Sequence, residues 1–250
     1  MDGEGRVTVE ARGRVALVWL DRPAKINALD AALCRALVRA VEEIEADAGL
    51  GAMVIAGRGP HGFSAGADLA TVARLSGAAK RRFVEEAWRA IDRVAAAPVP
   101  SVAALHGHVL GGGLELALAC DLRFADPGAR LALPELALGS VPSFGAVQRL
   151  PALVGRARAV ELILGGEVLD AEAAGRAGLV TRVTAAGAVI EEALARAEVL
   201  AGLPREAVRY LKLALAMPAD GRAAALHGLI SDACHSSPEY QARIARFSGG

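Results

Sequence analysis

The sequence predicts an α/β protein whose sheets are largely parallel. Up to Pro151, short apolar runs of strand length alternate with longer stretches in which apolar residues recur at helical spacing. Beyond Pro151 nearly every stretch reads as helix. The composition, 54% hydrophobic but only 4% aromatic, makes the core aliphatic, built from Ala, Val and Leu. A chain of 250 residues is long enough to bury such a core. The expected division is a core domain over residues 1–190 and a helical region over 191–250.

VTVEARGRVALVWLDR, residues 7–22, contains two β runs joined through Arg12-Gly13, which predicts a hairpin. ALDAALCRALVRAVEEIEAD, residues 28–47, carries its acidic residues opposite an apolar stripe and predicts a helix capped by Asp30. AMVIAG, residues 52–57, is a short buried strand, and AAKRRFVEEAWRAIDRVAAA, residues 78–97, is a helix stopped by Pro98 and Pro100. SVAALHG, residues 101–107, and DLRFAD, residues 121–126, are strands on either side of HVLGGGLELALACD, a loop and helix. After Pro151 a single short β run, LVTRVTA, interrupts the helices. The apolar faces of the last helices are wider than a lone surface helix needs, so they are expected to pack against another subunit.

Several function classes are excluded at this level. With 28 basic and 28 acidic side chains the chain has no global field for nucleic acid or an anionic membrane. No run approaches the ~20 apolar residues of a membrane span, and the acidic N-terminus is neither a secretory signal nor a transit peptide, so a soluble, cytoplasmic protein is expected. Cys34, Cys120 and Cys234 are odd in number and widely spaced, which favours reduced thiols over disulfides or zinc. His106 and His108 are read as one face of a strand, with no further ligand at metal spacing. Ser64 and Ser143 lack a nucleophile elbow.

The chemistry concentrates in three stretches. Gly111-Gly112-Gly113 precedes a helix, where unsatisfied backbone N–H groups are available and a ligand atom can come close, although a plain tight turn accounts for the glycines equally well. Glu115, the only ionisable residue from Val109 to Cys120, follows one turn later with little solvent around it, and its pKa is expected to be perturbed. Glu135 in LALPELALGSVP is a second isolated carboxylate, for which helix-terminal capping after Pro134 is the structural alternative. HGFSAGADLA, residues 61–70, predicts a turn capped by Asp68 with the Ala67 N–H pointing outward. Together with the glycine loop it supplies two donors to one oxygen.

These stretches, together with RPAKINALD (residues 22–30), resemble the crotonase superfamily of enoyl-CoA hydratases and isomerases. LPELALGSVPSFGAVQRLPALVG (residues 133–155) and the helical tail extend the resemblance over essentially the whole chain. It implies a spiral of ββα units with a C-terminal helical trimerisation region, assembled as a trimer or a dimer of trimers. It places the thioester-binding N–H groups on Ala67 and Gly112, the acyl-CoA contacts on Ala65, Gly66, Asp68, Leu69 and Ala70, and a phosphate contact on Lys25. The two hydratase glutamates fall on Glu115 and Glu135, with coenzyme A as part of the substrate and no separate cofactor or metal. The implied activity is hydration of a 2-enoyl-CoA, with Δ3,Δ2-enoyl-CoA isomerisation or another enolate-forming reaction as the alternative.

The sequence departs from the family at Ser143-Phe144, where a glycine-rich loop is usual, and this adds bulk beside the acyl pocket. The tail HSSPEYQARIARFSGG lacks the family's lysine-rich ending. Some relatives bind RNA through a lysine-rich first helix, but residues 31–47 contain no lysine. Lys80-Arg81-Arg82, the one basic cluster, is read as a solvated helix face.

Overall fold

The computed structural model describes residues 5–217 and 223–248. A hairpin, β1 (Arg6–Arg12) and β2 (Val15–Asp21), and helix α1 (Ala31–Ala46) lead into a repeated unit of two strands and a helix. The first unit is β3 (Ala52–Gly57), β4 (Gly62–Ser64), α2 (Leu69–Val72) and α3 (Gly77–Ala95). The second is β5 (Ser101–Leu105), β6 (His108–Leu110) and α4 (Gly112–Ala119). The third is β7 (Leu122–Ala125), β8 (Arg130–Ala132), α5 (Ala146–Val154) and α6 (Arg156–Gly165). Then come β9 (Leu169–Asp170), α7 (Ala171–Arg176), β10 (Arg182–Val183), α8 (Val189–Ala201), α9 (Arg205–Leu215), α10 (Ala223–His235) and α11 (Pro238–Ser248).

In each unit the first strand joins one sheet and the second joins another. The larger sheet runs β1-β2-β3-β5-β7-β10 and the smaller β4-β6-β8-β9. All neighbours are parallel except β1 with β2 and β8 with β9. This is the spiral of ββα units.

Alternation along the strands gives the larger sheet two buried faces. Ala16, Val18 and Leu20 of β2 enter the main core with Leu33, Leu37 and Ile44 of α1, whereas Val15 and Leu17 point the other way, toward α8. A sheet covered on both sides needs strands that are apolar throughout, which is why AMVIAG and SVAAL read as continuous apolar runs. Helix α8 presents Val189, Ala193, Ala197 and Ala201, one every fourth residue, so its small side chains let it lie close against the strands. The expected boundary at 190/191 falls within this helix.

The structure corrects four local readings. His106 and His108 do not share a strand, because β5 ends at Leu105 and β6 begins at His108. GFS, read as part of a turn, forms β4, three residues too short to show a period. Pro151 does not bound the helical half but lies inside α5, which forgoes one helical N–H there. Glu135 opens a short 3-10 turn, Glu135–Leu138, with Pro134 at its N-cap rather than its first helical position. The tail residues Arg222, Gly249 and Gly250 lie outside the described residues.

Candidate active site

Two loops meet where β4 and β6 end. The turn after β4 is pinned to the segment after β2: Ala65 N–H donates to the Ile26 carbonyl (2.8 Å), Leu29 N–H to the Gly66 carbonyl (2.7 Å) and Asp68 N–H to the Leu29 carbonyl (2.9 Å). This parallel bridge uses the peptide groups flanking Ala67, so the N–H of Ala67 itself is directed to the other side, where Ala67 lines a cavity. Gly66 has φ +88°, and a Cβ there would lie 2.7 Å from the Leu110 carbonyl and 3.0 Å from the Gly112 nitrogen. The two loops therefore touch backbone to backbone.

Gly111, at φ 50° and ψ −123°, turns β6 into α4 and donates its N–H to Ala132. Gly112 is the first residue of α4, where helical geometry leaves the N–H without an acceptor. Among the described residues, neither Ala67 N–H nor Gly112 N–H donates to a backbone carbonyl. The far end of α4 is closed by Arg123, which is buried and donates to the Cys120 carbonyl (2.6 Å) and the Leu179 carbonyl (2.8 Å). A cation there complements the helix dipole whose positive end faces the cavity.

Glu115 lies one turn into α4 and is 1% exposed. Its Oε1 accepts hydrogen bonds from Phe144 N–H (2.8 Å) and Ala146 N–H (2.9 Å). Burial raises its pKa above the ordinary carboxylate value, and those backbone donors pull back without cancelling the rise. Glu135 is half-buried. Its Oε1 would stand 2.7 Å from a Cβ on Gly111, and its Oε2 is buried with no hydrogen-bond partner. Burial first, and more weakly the charge of Glu115, push its carboxyl up to about 7 despite an opposing backbone hydrogen bond. A buried carboxylate oxygen left unpaired is costly and marks a place where something else binds.

Both carboxylates, Ala67, Gly111 and Gly112 line one cavity of about 260 Å³. Ala65, Gly66, Leu69, Ser143 and Phe144 line it too. Phe144 is buried. Its ring edge lies 2.8 Å from where a Gly112 Cβ would be, and it meets Phe83 edge-on with centroids 6.1 Å apart. The Ser143 hydroxyl donates to the Val141 carbonyl (2.8 Å). The bulk expected at this loop is thus a wall packed on the glycine, and the same loop supplies the donors that hold Glu115.

Lys25, Asp68 and Ala70 are not part of the lining. Lys25 ends a 3-10 turn, Pro23–Lys25, immediately before Ile26, whose carbonyl holds Ala65. Asp68 caps α2 through Thr71 N–H (3.2 Å) and accepts from Arg22 Nη1 (2.7 Å), a guanidinium that also lies 3.4 Å from Asp30. Burial alone would raise the Asp68 carboxyl, but the Arg22 and Thr71 donors hold it below its ordinary range. Asp68 therefore latches the turn after β4 to the segment after β2.

Sequence reasoning missed Arg22 and Asn27 as parts of this framework. Asn27 is fully buried at φ 52°, beside Ile26 at φ 48°. Its side chain accepts from Arg22 N–H (2.9 Å) and donates to the Arg58 and Gly62 carbonyls (each 3.0 Å), which holds two non-glycine residues in a left-handed turn. A lone Asn between apolar neighbours was the available signal. Lys80 was also missed: it lines the cavity instead of belonging wholly to a solvated face.

Comparison with known proteins agrees with this geometry. The model of the Enoyl-CoA hydratase/isomerase family matches residues 10–241. A probable enoyl-CoA hydratase of Rhizobium meliloti is 42% identical over 216 residues, 83% of each chain. A short-chain-enoyl-CoA hydratase of Clostridium acetobutylicum is 37% identical over 71% of this chain and 68% of its own. The crystal structure of an enoyl-CoA hydratase from Bacillus anthracis superposes with a TM-score of 0.92 at 31% identity, covering 97% of this chain and 96% of its own. A family match across nearly the whole sequence, with the ββα spiral and both glutamates on one cavity, shows that the chain belongs to the enoyl-CoA hydratase/isomerase family of the crotonase superfamily.

Proposed function

We propose that the protein is an enoyl-CoA hydratase, adding water across the 2,3 double bond of a 2-enoyl-CoA. The observation that carries this is two carboxylates with raised pKa values on the same cavity as two uncommitted backbone donors. The thioester oxygen accepts from Ala67 and Gly112 N–H, which are fixed before the reaction and stabilise the enolate as negative charge builds on that oxygen. Water attacks the β-carbon while Glu115, held by the Phe144 and Ala146 donors, takes its proton. Glu135, near half-protonated at neutral pH, delivers a proton to the α-carbon. The product is a 3-hydroxyacyl-CoA. The first carboxyl gains a proton as the second loses one, so the pair titrates as a unit and proton exchange resets it.

Following loss of the conjugated thioester absorbance with crotonyl-CoA and longer 2-enoyl-CoAs tests the reading, and no turnover at any chain length would refute it. Isomerisation has one observation in its favour: Glu135 keeps a buried oxygen without a hydrogen-bond partner, and a proton moved along the acyl chain needs only one such carboxyl. Glu115→Gln and Glu135→Gln separate the two, because hydration needs both carboxylates and isomerisation needs only the second.

The same reading extends to assembly as a trimer or dimer of trimers. Helix α9 buries no residue and leaves Leu211, Leu213 and Leu215 exposed, as does α10 with Leu229. Light scattering on the purified protein tests this, and a monomer would refute it. Among the described residues no helix is long and apolar enough to cross a membrane, and no group of three or more His, Cys, Asp or Glu is arranged to hold a metal ion.

A further inference from the structure

The cavity wall that leads away from the oxyanion donors ends in a cation. Phe144 packs on Gly112, Phe83 packs on Phe144 edge to face, and Phe83 and Val84 lie on the first part of α3. Lys80 is three and four residues before them, so it stands one turn earlier on the same helix face, and it lines the cavity. It is the only cationic side chain in that lining, set among Val72, Phe83 and Val84. Among the described residues it forms no ion pair, although other cations of the chain, such as Arg35, Arg158 and Arg209, do. Arg81 and Arg82 beside it are exposed and do not line the cavity.

For a thioester held at Ala67 and Gly112, the lining through Phe144 and Phe83 leads to Lys80. A purely hydrocarbon chain gains nothing from an ammonium there. An acyl chain that ends in a carboxylate gains a charge-assisted hydrogen bond from Lys80, which is exposed and so leaves the pair partly screened by solvent. The coenzyme A end of the substrate is expected on the other side, at Ala65, whose N–H is held by Ile26 next to Lys25. We propose that Lys80 is a specificity residue that selects 2-enoyl-CoA substrates whose acyl group carries a distal carboxylate, that is, monothioesters of short unsaturated dicarboxylic acids. This rests on the hydratase reading for the reaction but not for the binding preference.

The test compares glutaconyl-CoA with its uncharged counterpart pent-2-enoyl-CoA by kcat/KM, and the saturated ligands glutaryl-CoA and valeryl-CoA by binding. In the unaltered protein the dicarboxylate is preferred in both measurements by about three- to tenfold, the range of a partly screened charge pair. Lys80→Met abolishes the preference, Lys80→Glu inverts it and Lys80→Arg retains it. If Lys80→Met weakens both members of each pair alike, Lys80 serves the coenzyme A phosphates and the proposal is overturned. A ratio near one in the unaltered protein overturns it as well. If no thioester is hydrated but the binding ratio holds and responds to Lys80→Glu, the hydratase reading fails and the assignment of Lys80 stands.

Discussion

Replacing Glu135 with Gln should make the protein more stable while disabling it, and the gain should depend on pH in a defined direction. The folded state raises this carboxyl from 4.5 to about 7, mainly through burial. A raised carboxyl pKa means that the native state binds the proton more tightly than the unfolded chain does. Below the unfolded value both states are protonated and Glu135 costs nothing. Between about 4.5 and 7 the unfolded chain ionises first, so stability falls as pH rises, and above about 7 the penalty is constant. At ~1.4 kcal/mol per tenfold the full penalty is about 3 kcal/mol, and solvent reaching a half-buried side chain reduces it to about 1–2 kcal/mol. Glu135→Gln keeps the shape and removes the charge. Guanidinium unfolding of both proteins at pH 5 and pH 8 should show Glu135→Gln slightly more stable at the lower pH and about 1–2 kcal/mol more stable at the higher. Hydratase kcat should fall by about 10²–10⁴, the usual worth of a positioned acid–base group. An equal difference at the two pH values, or a less stable variant at pH 8, would refute the assignment of burial as the dominant cause.

Other consequences follow from contacts at the two loops and on the far face of the sheet. A Cβ on Gly112 would stand 2.8 and 2.9 Å from Phe144 ring atoms, so Gly112→Ala should displace the donor and lower kcat about 10²-fold. Adding Phe144→Leu should recover part of that loss in steady-state assays, and no recovery would mean that the ring is not the obstacle. Arg22→Met leaves Asp68 buried without its ion partner and should destabilise by about 3 kcal/mol in chemical unfolding, while Arg22→Met with Asp68→Asn should cost less. Because the Asp68 carboxyl is held low, the stability it provides is present above its unfolded value and is lost as pH falls through the folded one, so Asp68→Asn should flatten acid unfolding. Ala197→Leu, at a fully buried position where α8 lies on the sheet, should cost about 1–3 kcal/mol by overpacking, measured as a lowered midpoint.

What could be read from the sequence and what could not divides along the range of the interactions. The hairpin, α1 with its Asp30 cap and the apolar strands were legible because period, capping and punctuation are local signals. The strands β4, β8 and β9 were not, since two or three residues carry no period and exist only because a neighbour in the smaller sheet supplies the hydrogen bonds. At the site, Glu115 stood out because a carboxylate inside LGGGLELALAC conflicts with everything around it, and such conflicts between local rules tend to mark function. Asp68 showed the opposite limit. Its neighbours announced a cap, and only the fold reveals that Arg22, 46 positions earlier, takes its other oxygen. Lys80 escaped for a related reason: KRR on an amphipathic helix is ordinary surface by any one-dimensional rule, and its meaning comes from Phe83, Phe144 and Gly112, which are consecutive in space and scattered in sequence. The two cavity carboxylates differ from their surroundings and are visible alone, whereas a residue proposed to choose the substrate matches its surroundings and becomes visible only through the wall it completes.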